Sequence, residues 1–436
     1  MRPSRIGTIA ILIAIAFAAR PPARAQQIKS TWGQILIAGG PYDGGVDLYD
    51  PASNRFAPEL ATPRMKSRVR ATATLLVTGP NAGKVLLAGG DNRNDVPRAS
   101  TELYDPLTNT VVDGPAMKTP RSGHTATAIP CGPNSGKILF AGGMGAFSGA
   151  LSSTELYDPA TGKFSAGPAM HAACALCTAT VIRSGKNAGK ILIAGGYDPH
   201  GFPGSTELYD PAANVFVPGP LMHPARVAFT ATVIPSGKNA GKILIAGGAQ
   251  LGADDHDDST ELYDPATNKF VRGPTMKSTR DNPTVIAISS GPNTGKILIA
   301  GGEQDDKDEA GRDASLASTE LYDPDTNTIA PGPAMDKRRV AHTATVILSG
   351  KNAGRILIAG GIEKDTDKNG SGIFRKLYST ELYDPATNTF APGPRMNSDR
   401  FDAVAVQLPP AARTPRRIIE PPSRRSGSGV PRLRSG

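Results

Sequence analysis

The chain has 436 residues and a formal net charge of +9. The charge is concentrated at the two ends: residues 1–25 carry four arginines and no acid, residues 409–436 carry a net +6, and the body between them is left at −1. Faces that bind nucleic acid carry clustered positive charge, so a near-neutral body excludes such a face spread over the fold.

Residues 1–25 have the three parts of a secretory signal peptide: a basic start, an apolar run and small residues at a cleavage site, Ala23-Arg24-Ala25. The apolar run, Ile6 to Ala19, is shorter than the about 20 residues that span a bilayer. We expect a secreted, periplasmic or cell-surface protein whose mature chain begins at Gln26 and has no membrane span. An uncleaved anchor is the alternative.

Seven repeats follow. In each repeat an aliphatic run ends in a glycine pair, and a variable loop and a Leu-Tyr-Asp-Pro sequence come next. A bulky apolar residue and a Thr-Ala-Thr-Val-like run complete the repeat. The glycine pairs are Gly39-Gly40, Gly89-Gly90, Gly142-Gly143, Gly195-Gly196, Gly247-Gly248, Gly301-Gly302 and Gly360-Gly361. Self-similarity of this kind is the signature of a repeat architecture.

Each repeat predicts four short antiparallel strands. Strand A is the Thr-Ala-Thr-Val-like run, and strand B is the aliphatic run before the glycines, as in Lys190 to Ala194. Strand C contains Glu-Leu-Tyr, and strand D follows the Asp-Pro-Ala-Thr-Asn turn. Strand B is apolar on both faces, as expected for a strand buried between neighbouring sheets. The sequence predicts no helix.

The ends of the repeat array decide how the sheets are arranged. One such sheet cannot bury two apolar faces, so the sheets must stack, either as an open solenoid or as a closed ring. The first repeat begins at strand B (Gln34 to Gly40), and the last ends with a surplus strand A (Asp402 to Leu408). We therefore predict one all-β domain over residues 26–408, a monomeric seven-bladed propeller whose C-terminal strand closes the first blade.

Residues 409–436 are rich in Pro, Ser, Gly and Arg. Such a segment buries too little apolar surface to offset its ordering entropy, so we predict a disordered tail. The tail is either simply solvated or binds anionic polymers at the cell surface.

The paired glycines, the Tyr-Asp-Pro sequence and the bulky residue after it resemble the kelch repeat, over nearly the whole chain after residue 25. Phe, Val or Ile stands where kelch repeats commonly carry Trp. The resemblance implies that strand A lines a central channel and that the loops after the glycine pairs open on the same face as the turns into strand A.

One candidate binding site is an arginine register at the turn into strand A: Arg68, Arg121, Arg226, Arg280, Arg339 and Arg400, with Cys174 in the fourth blade. The resemblance implies that these side chains converge at the channel mouth, where guanidinium groups would bind an oxyanion. Three residues later the position varies and includes His124 and His342. The alternative is that each arginine ties down a loop of its own blade through backbone carbonyls.

The loops after the glycine pairs lengthen along the chain, and the last three are acidic. Long loops on a rigid scaffold commonly carry binding specificity. Asp365, Asp367 and Asn369, with Gly370, match the start of a calcium loop, but the late carboxylate is missing. The alternatives are a calcium site and a solvated acidic loop, and the sequence implies no other cofactor.

Cys174 and Cys177 form a Cys-x-x-Cys sequence. On a strand, residues three apart are about 10 Å apart, too far for a disulfide. We therefore expect small apolar side chains here and neither a disulfide nor a zinc site.

The leading functional hypothesis is a binding module for a protein, peptide or glycan, above all an anionic peptide or glycan, at the channel mouth, with no nucleic acid as a partner. The alternative is a carbohydrate-active enzyme. Galactose-oxidase-like copper enzymes and exported sialic-acid mutarotases also have kelch propellers. The former use a separate C-terminal domain that is not found after strand A here, and the latter have six blades. Because one fold serves many functions, whether the chain catalyses a reaction stays open.

Overall fold

The structure is a computed structural model. It describes residues 33–409 apart from gaps at 41–43, 93, 147–148, 199–203, 250–257, 305–313 and 367–371. The predicted signal peptide and nearly all of the predicted tail lie outside the described residues.

Seven four-stranded antiparallel sheets make up the fold, one for each repeat. The strands of the first four blades are β1 Ile35–Ala38, β2 Val46–Asp50 and β3 Arg55–Phe56; β4 Thr72–Leu75, β5 Val85–Ala88, β6 Thr101–Asp105 and β7 Thr110–Asp113; β8 Thr125–Ala128, β9 Ile138–Ala141, β10 Thr154–Asp158 and β11 Lys163–Ala166; and β12 Thr178–Val181, β13 Ile191–Ala194, β14 Thr206–Asp210 and β15 Val215–Pro218.

The strands of blades 5 to 7 are β16 Thr230–Val233, β17 Ile243–Ala246, β18 Thr260–Asp264 and β19 Lys269–Arg272; β20 Thr284–Ala287, β21 Ile297–Ala300, β24 Thr319–Asp323 and β25 Thr328–Pro331; and β26 Thr343–Val346, β27 Ile356–Ala359, β30 Thr380–Asp384 and β31 Thr389–Pro392. Two ribbons in loops, β22 Glu303–Gln304 with β23 Ala314–Ser315 and β28 Ile362–Thr366 with β29 Gly372–Lys376, were not predicted. The last strand is β32 Val404–Gln407, and the helical content of the described residues is one 3₁₀ turn, Glu59–Ala61.

Burial follows the composition of each strand. Every residue of the aliphatic strand β13 is buried, as predicted for strand B, whereas strands A such as β12 are half-buried. Strands D such as β19 are mostly exposed. The core therefore lies between neighbouring blades: Leu192 and Leu208 of blade 4, for example, pack in one cluster with Ile243 and Ile245 of blade 5. This packing buries both faces of each sheet.

The ring is closed by the C-terminal strand, which confirms the prediction from the repeat ends. β32 pairs with β1 in antiparallel register, from Ile35 opposite Gln407 to Ala38 opposite Val404. The seven strands A touch one another in cyclic order, and β32 contacts both β26 and β4.

A side-chain contact joins the last blade to the first as well. The Asn352 Nδ2 group donates to the Tyr49 hydroxyl at 3.0 Å. The turn that carries Asn352 also presents Gly350, with φ of 75°, against the backbone of Pro51, and a Cβ at that glycine would overlap the Pro51 carbonyl. Glycine is therefore needed there for the close approach and for the positive φ.

The loops after the glycine pairs and the turns into strand A lie side by side on one face of the propeller. They are joined by isolated bridges such as Val69 with Asp91 and Val340 with Ile362. We call this the loop face. Among the described residues no helix is long and apolar enough to cross a membrane.

Candidate functional site

The six aligned arginines lie inside the blades. Their relative exposure is 2% or less. In blade 2, Arg68 Nη1 donates to the carbonyls of Gly89 and Ser100 at 2.7 and 2.8 Å, and Nε donates to Glu102 at 3.0 Å. The pair of carbonyl acceptors recurs at Arg121, Arg226, Arg280 and Arg339, and Arg400 Nη1 donates to the Gly39 carbonyl at 2.7 Å. Each of the five also has a carboxylate of the same blade within 4.0 Å: Glu155, Glu261, Glu320, Glu381 and Asp47.

These contacts hold the guanidinium groups inside their own blades and out of contact with solvent. The carboxylate also accepts backbone N–H groups of the turn into strand A, as Glu155 does from Lys118 and Thr119 at 2.8 and 3.0 Å. Burial lowers the pKa of the Arg280 guanidinium, and Glu320 opposes that shift. The architectural interpretation accounts for every one of these hydrogen bonds, and a ring of free guanidinium groups at the mouth does not form.

His124 and His342 occupy equivalent buried positions. Their Nε2 atoms lie 3.0 and 2.9 Å from the hydroxyls of Thr72 and Thr284, each in the preceding blade. Burial, with a smaller contribution from the nearby register arginine, lowers the pKa of both imidazoles to about 3. Both rings are therefore neutral at physiological pH.

The residue two positions after each register arginine forms the rim of the channel, and the sequence analysis did not single it out. These rim residues are Arg70, Gly123, Leu176, Ala228, Asn282, Ala341 and Asp402, all with positive φ. Backbone hydrogen bonds run from blade to blade around the rim: Gly123 N donates to Arg70 O at 2.9 Å and Asn282 N to Ala228 O at 2.8 Å. The signal in the sequence is the variability of this position beside an almost constant arginine.

A cavity of about 370 Å³ opens on the axis beside this rim. Blades 5, 6, 7 and 1 line it with Phe229, Pro283, His342 and Ala403 and with the rim residues Ala228, Asn282, Ala341 and Asp402. Burial raises the pKa of Asp402, Arg70 and Lys364 oppose that rise, and Asp91 adds to it. The cavity is open towards solvent, and its exposed lining is more polar than apolar.

Charges around the rim are mixed in sign. Arg70 is the one rim cation, and its Nη2 lies 2.9 Å from Asp91 and 4.0 Å from Asp95. Lys364 pairs with Glu303 on the neighbouring ribbon. A uniformly positive mouth is therefore not found on the described part of the loop face.

The predicted calcium ligands fall at the end of the blade 7 ribbon. Asp365 lies on β28, with its backbone paired to that of Ile373. Asp367 and Asn369 lie outside the described residues. Within the described ranges, no group of three or more His, Cys, Asp or Glu side chains could hold a metal ion.

The expectation for the two cysteines of blade 4 was wrong. Cys174 and Cys177 are joined by a disulfide, with their Cα atoms 6.0 Å apart. They lie on the turn into strand A, where Leu176 has φ of 56°, and β12 begins only at Thr178. The turn shortens the distance that a strand would impose.

No family model and no curated protein matches the chain. Among solved structures, the chain is similar to one described as "Structure of YjhT", with a TM-score of 0.50 and 12% identity over 74% of this chain and 97% of the other. At that identity the likeness concerns the fold alone.

Proposed function

We propose that the protein is an exported kelch-type propeller that acts as a binding module, and that its ligand enters the axial cavity through the loop-face rim. The ligand class that fits best is a hydroxyl-rich glycan, ahead of an anionic peptide. The observation that carries the proposal is the cavity of about 370 Å³ with its lining of apolar and hydrogen-bonding groups.

The lining favours a sugar-like ligand. The exposed lining is mainly polar, which suits the hydroxyl groups of a sugar, and Phe229 and Pro283 are buried behind it. Asn282 and Asp402 are exposed and add donors and acceptors at the same opening, whereas His342 is buried and its Nε2 is paired with a threonine hydroxyl. Polar groups held on a rigid scaffold fix the orientation of a bound ligand.

The charges argue against selection of an anion. The six register arginines are engaged within their blades, and Arg70 faces Asp91 and Asp95. An anionic ligand would meet these carboxylates and Asp402 at the same opening. A neutral glycan meets no such repulsion.

A binding role is favoured over acid–base catalysis by the state of His342. An effective general base has a pKa near the working pH. With a pKa of about 3, this buried imidazole is a weak base and keeps its proton poorly. It is suited to hydrogen bonding in its neutral form.

The proposal is tested with a glycan and peptide array on the chain purified after export, followed by calorimetry on each hit. Ala341→Gln places a larger side chain at the cavity side of the rim, where φ is already positive, and should weaken binding about tenfold or more. Leu176→Gln is the matched control, because Leu176 has the same backbone conformation but does not line the cavity.

Equal affinities for the two variants and the unaltered chain would place the ligand elsewhere. Affinity for a glycan should change little with salt, whereas affinity for an anionic ligand should fall as exposed charges are screened. A strong salt dependence would therefore favour the anionic class.

A further inference from the structure

Blade 4 lacks the arginine that fills the same position in the other six blades. Cys174 stands there, and its side chain is bound to Cys177. The acceptors that surround each arginine elsewhere have counterparts in blade 4: the Gly195 carbonyl, the carbonyl and hydroxyl of Ser205, and the Glu207 carboxylate. We call these three residues the blade 4 socket.

The backbone around the socket matches that of the other blades. Gly143 N donates to Cys174 O at 2.8 Å, as Gly90 N does to Arg121 O at 2.9 Å. Glu207 accepts from the backbone N–H groups of His171 and Ala172 at 3.0 and 2.9 Å, as Glu155 does from its own turn. Only the cationic side chain is missing from the arrangement.

A small cavity lies where the guanidinium would be. It has a volume of about 10 Å³ and is lined by Cys174, Gly195, Ser205 and Glu207 among others. This is close to the smallest space that holds one water-sized particle. In five other blades the arginine Nη1 atom lies 2.7–3.1 Å from the two corresponding carbonyl oxygens.

The charge in the socket has no buried cationic partner. The Glu207 side chain is 8% exposed, and its cationic partner elsewhere, the buried arginine, is absent. His171 Nδ1 lies 2.8 Å from the carboxylate, but the His171 side chain is 59% exposed and lies on the solvent side. A buried carboxylate beside two carbonyls whose counterparts accept from an arginine in the other blades is an unfavourable arrangement without a buried positive partner.

We propose that the blade 4 socket binds one monovalent cation of about the size of water, potassium or ammonium, which takes the place of the arginine nitrogen. Backbone carbonyls can replace the hydration shell of potassium. Calcium and magnesium need oxygen ligands at about 2.0–2.6 Å and usually several carboxylates. The blade 4 socket has one carboxylate, and its carbonyl oxygens correspond to those that lie 2.7–3.1 Å from the arginine Nη1 atom in five other blades. The ion would balance the charge of Glu207 and stabilise the turn between blades 3 and 4.

The test is the melting temperature of the exported chain at constant ionic strength, with choline chloride replaced stepwise by potassium or ammonium chloride. A ligand that binds only the folded state raises stability in a saturable way. We expect a saturable rise with potassium or ammonium and none with choline, which is too large. An unchanged melting temperature throughout the exchange would overturn the proposal.

Two variants assign the effect to the socket. Glu207→Gln should abolish the potassium response, whereas Glu155→Gln, the matched change in blade 3, should lower the melting temperature but leave the response intact. Cys174→Arg combined with Cys177→Ser fills the socket and should melt at the same temperature in potassium and in choline. Cys177→Ser alone should keep the response. A full response in Glu207→Gln would place the ion elsewhere.

A measurement on the unaltered chain decides the question if a variant does not fold. Thallous ion substitutes for potassium and scatters anomalously. Crystals soaked in a thallous salt should show a peak between the carbonyl oxygens of Gly195 and Ser205. A thallium-soaked crystal without a peak there would contradict the proposal.

Discussion

Replacing one register arginine distinguishes an architectural role from a ligand-binding role. Arg339 is fully buried, and its Nη1 donates to the carbonyls of Gly360 and Ser379 at 2.7 and 3.0 Å. Its Nε and Nη2 lie 3.2 and 3.0 Å from Glu381. Arg339→Met removes these bonds and leaves Glu381 as a buried charge without its partner.

The expected loss is large. Removing one partner of a buried ion pair costs about 3–5 kcal/mol, because the remaining charge stays desolvated and uncompensated. Arg339→Lys should lose less of the free energy of unfolding, since it keeps the charge but not the planar fork that reaches both carbonyls and the carboxylate. Arg339→Met with Glu381→Gln should recover part of the loss, because no buried charge remains and the amide oxygen can still accept from one of the N–H groups of Asp336 and Lys337.

The assay is urea unfolding followed by intrinsic fluorescence and circular dichroism, with the free energies combined in a double-mutant cycle. A coupling of about 0.5–3 kcal/mol is expected for residues in direct contact. The architectural reasoning fails if Arg339→Met unfolds at the same urea concentration as the unaltered chain and instead loses ligand affinity.

Three further predictions concern ring closure, pH and calcium. Ending the chain before Arg400 should expose free strand edges and cause aggregation, which light scattering measures. Ending it after Pro409 should leave the melting temperature unchanged. Identical behaviour of the two truncated chains would contradict closure of the ring by β32. His342 has a folded pKa of about 3 against an unfolded value near 6.5, so the unfolded state binds more protons between those pH values. The free energy of unfolding should therefore decrease as the pH is lowered from about 6.5 to about 3, by at most about 1.4 kcal/mol per pH unit. His342→Gln should reduce this slope, and an equal slope in the variant would assign it to other groups. Calcium should raise the melting temperature if the blade 7 loop binds it, and Asp367→Ala should remove that gain. An unchanged melting temperature at saturating calcium would reject the calcium site in favour of a solvated acidic loop.

The repeat pattern was sufficient to predict the architecture. Strand periodicity and turn composition are local properties, and they recur seven times, so that each repeat supports the assignment of the others. The incomplete first repeat and the surplus final strand predicted the pairing of β1 with β32. The two ribbons in the blade 6 and blade 7 loops escaped prediction because β22 and β23 have two residues each and neither ribbon shows an alternation of apolar and polar residues.

The sequence predicted which positions are equivalent in the repeats, but the contacts of those residues depend on partners far away in the chain. The arginine register is visible in the sequence. The guanidinium groups, however, pair with carboxylates 34 or more residues away in the same blade, such as Glu102 for Arg68 and Glu381 for Arg339. The repeats contain both residues, but nothing local shows that the guanidinium turns towards the carboxylate.

By itself the sequence determined the all-β class, the number of blades, the closure of the ring and the one blade in which cysteine replaces arginine. Only the tertiary structure decided that the arginines are buried, that Cys174 and Cys177 meet across a turn, and that the axial cavity opens beside Asn282 and Asp402. The physical reason is that strands form from local periodicity, whereas burial, charge pairing and cavities arise between segments far apart in the chain.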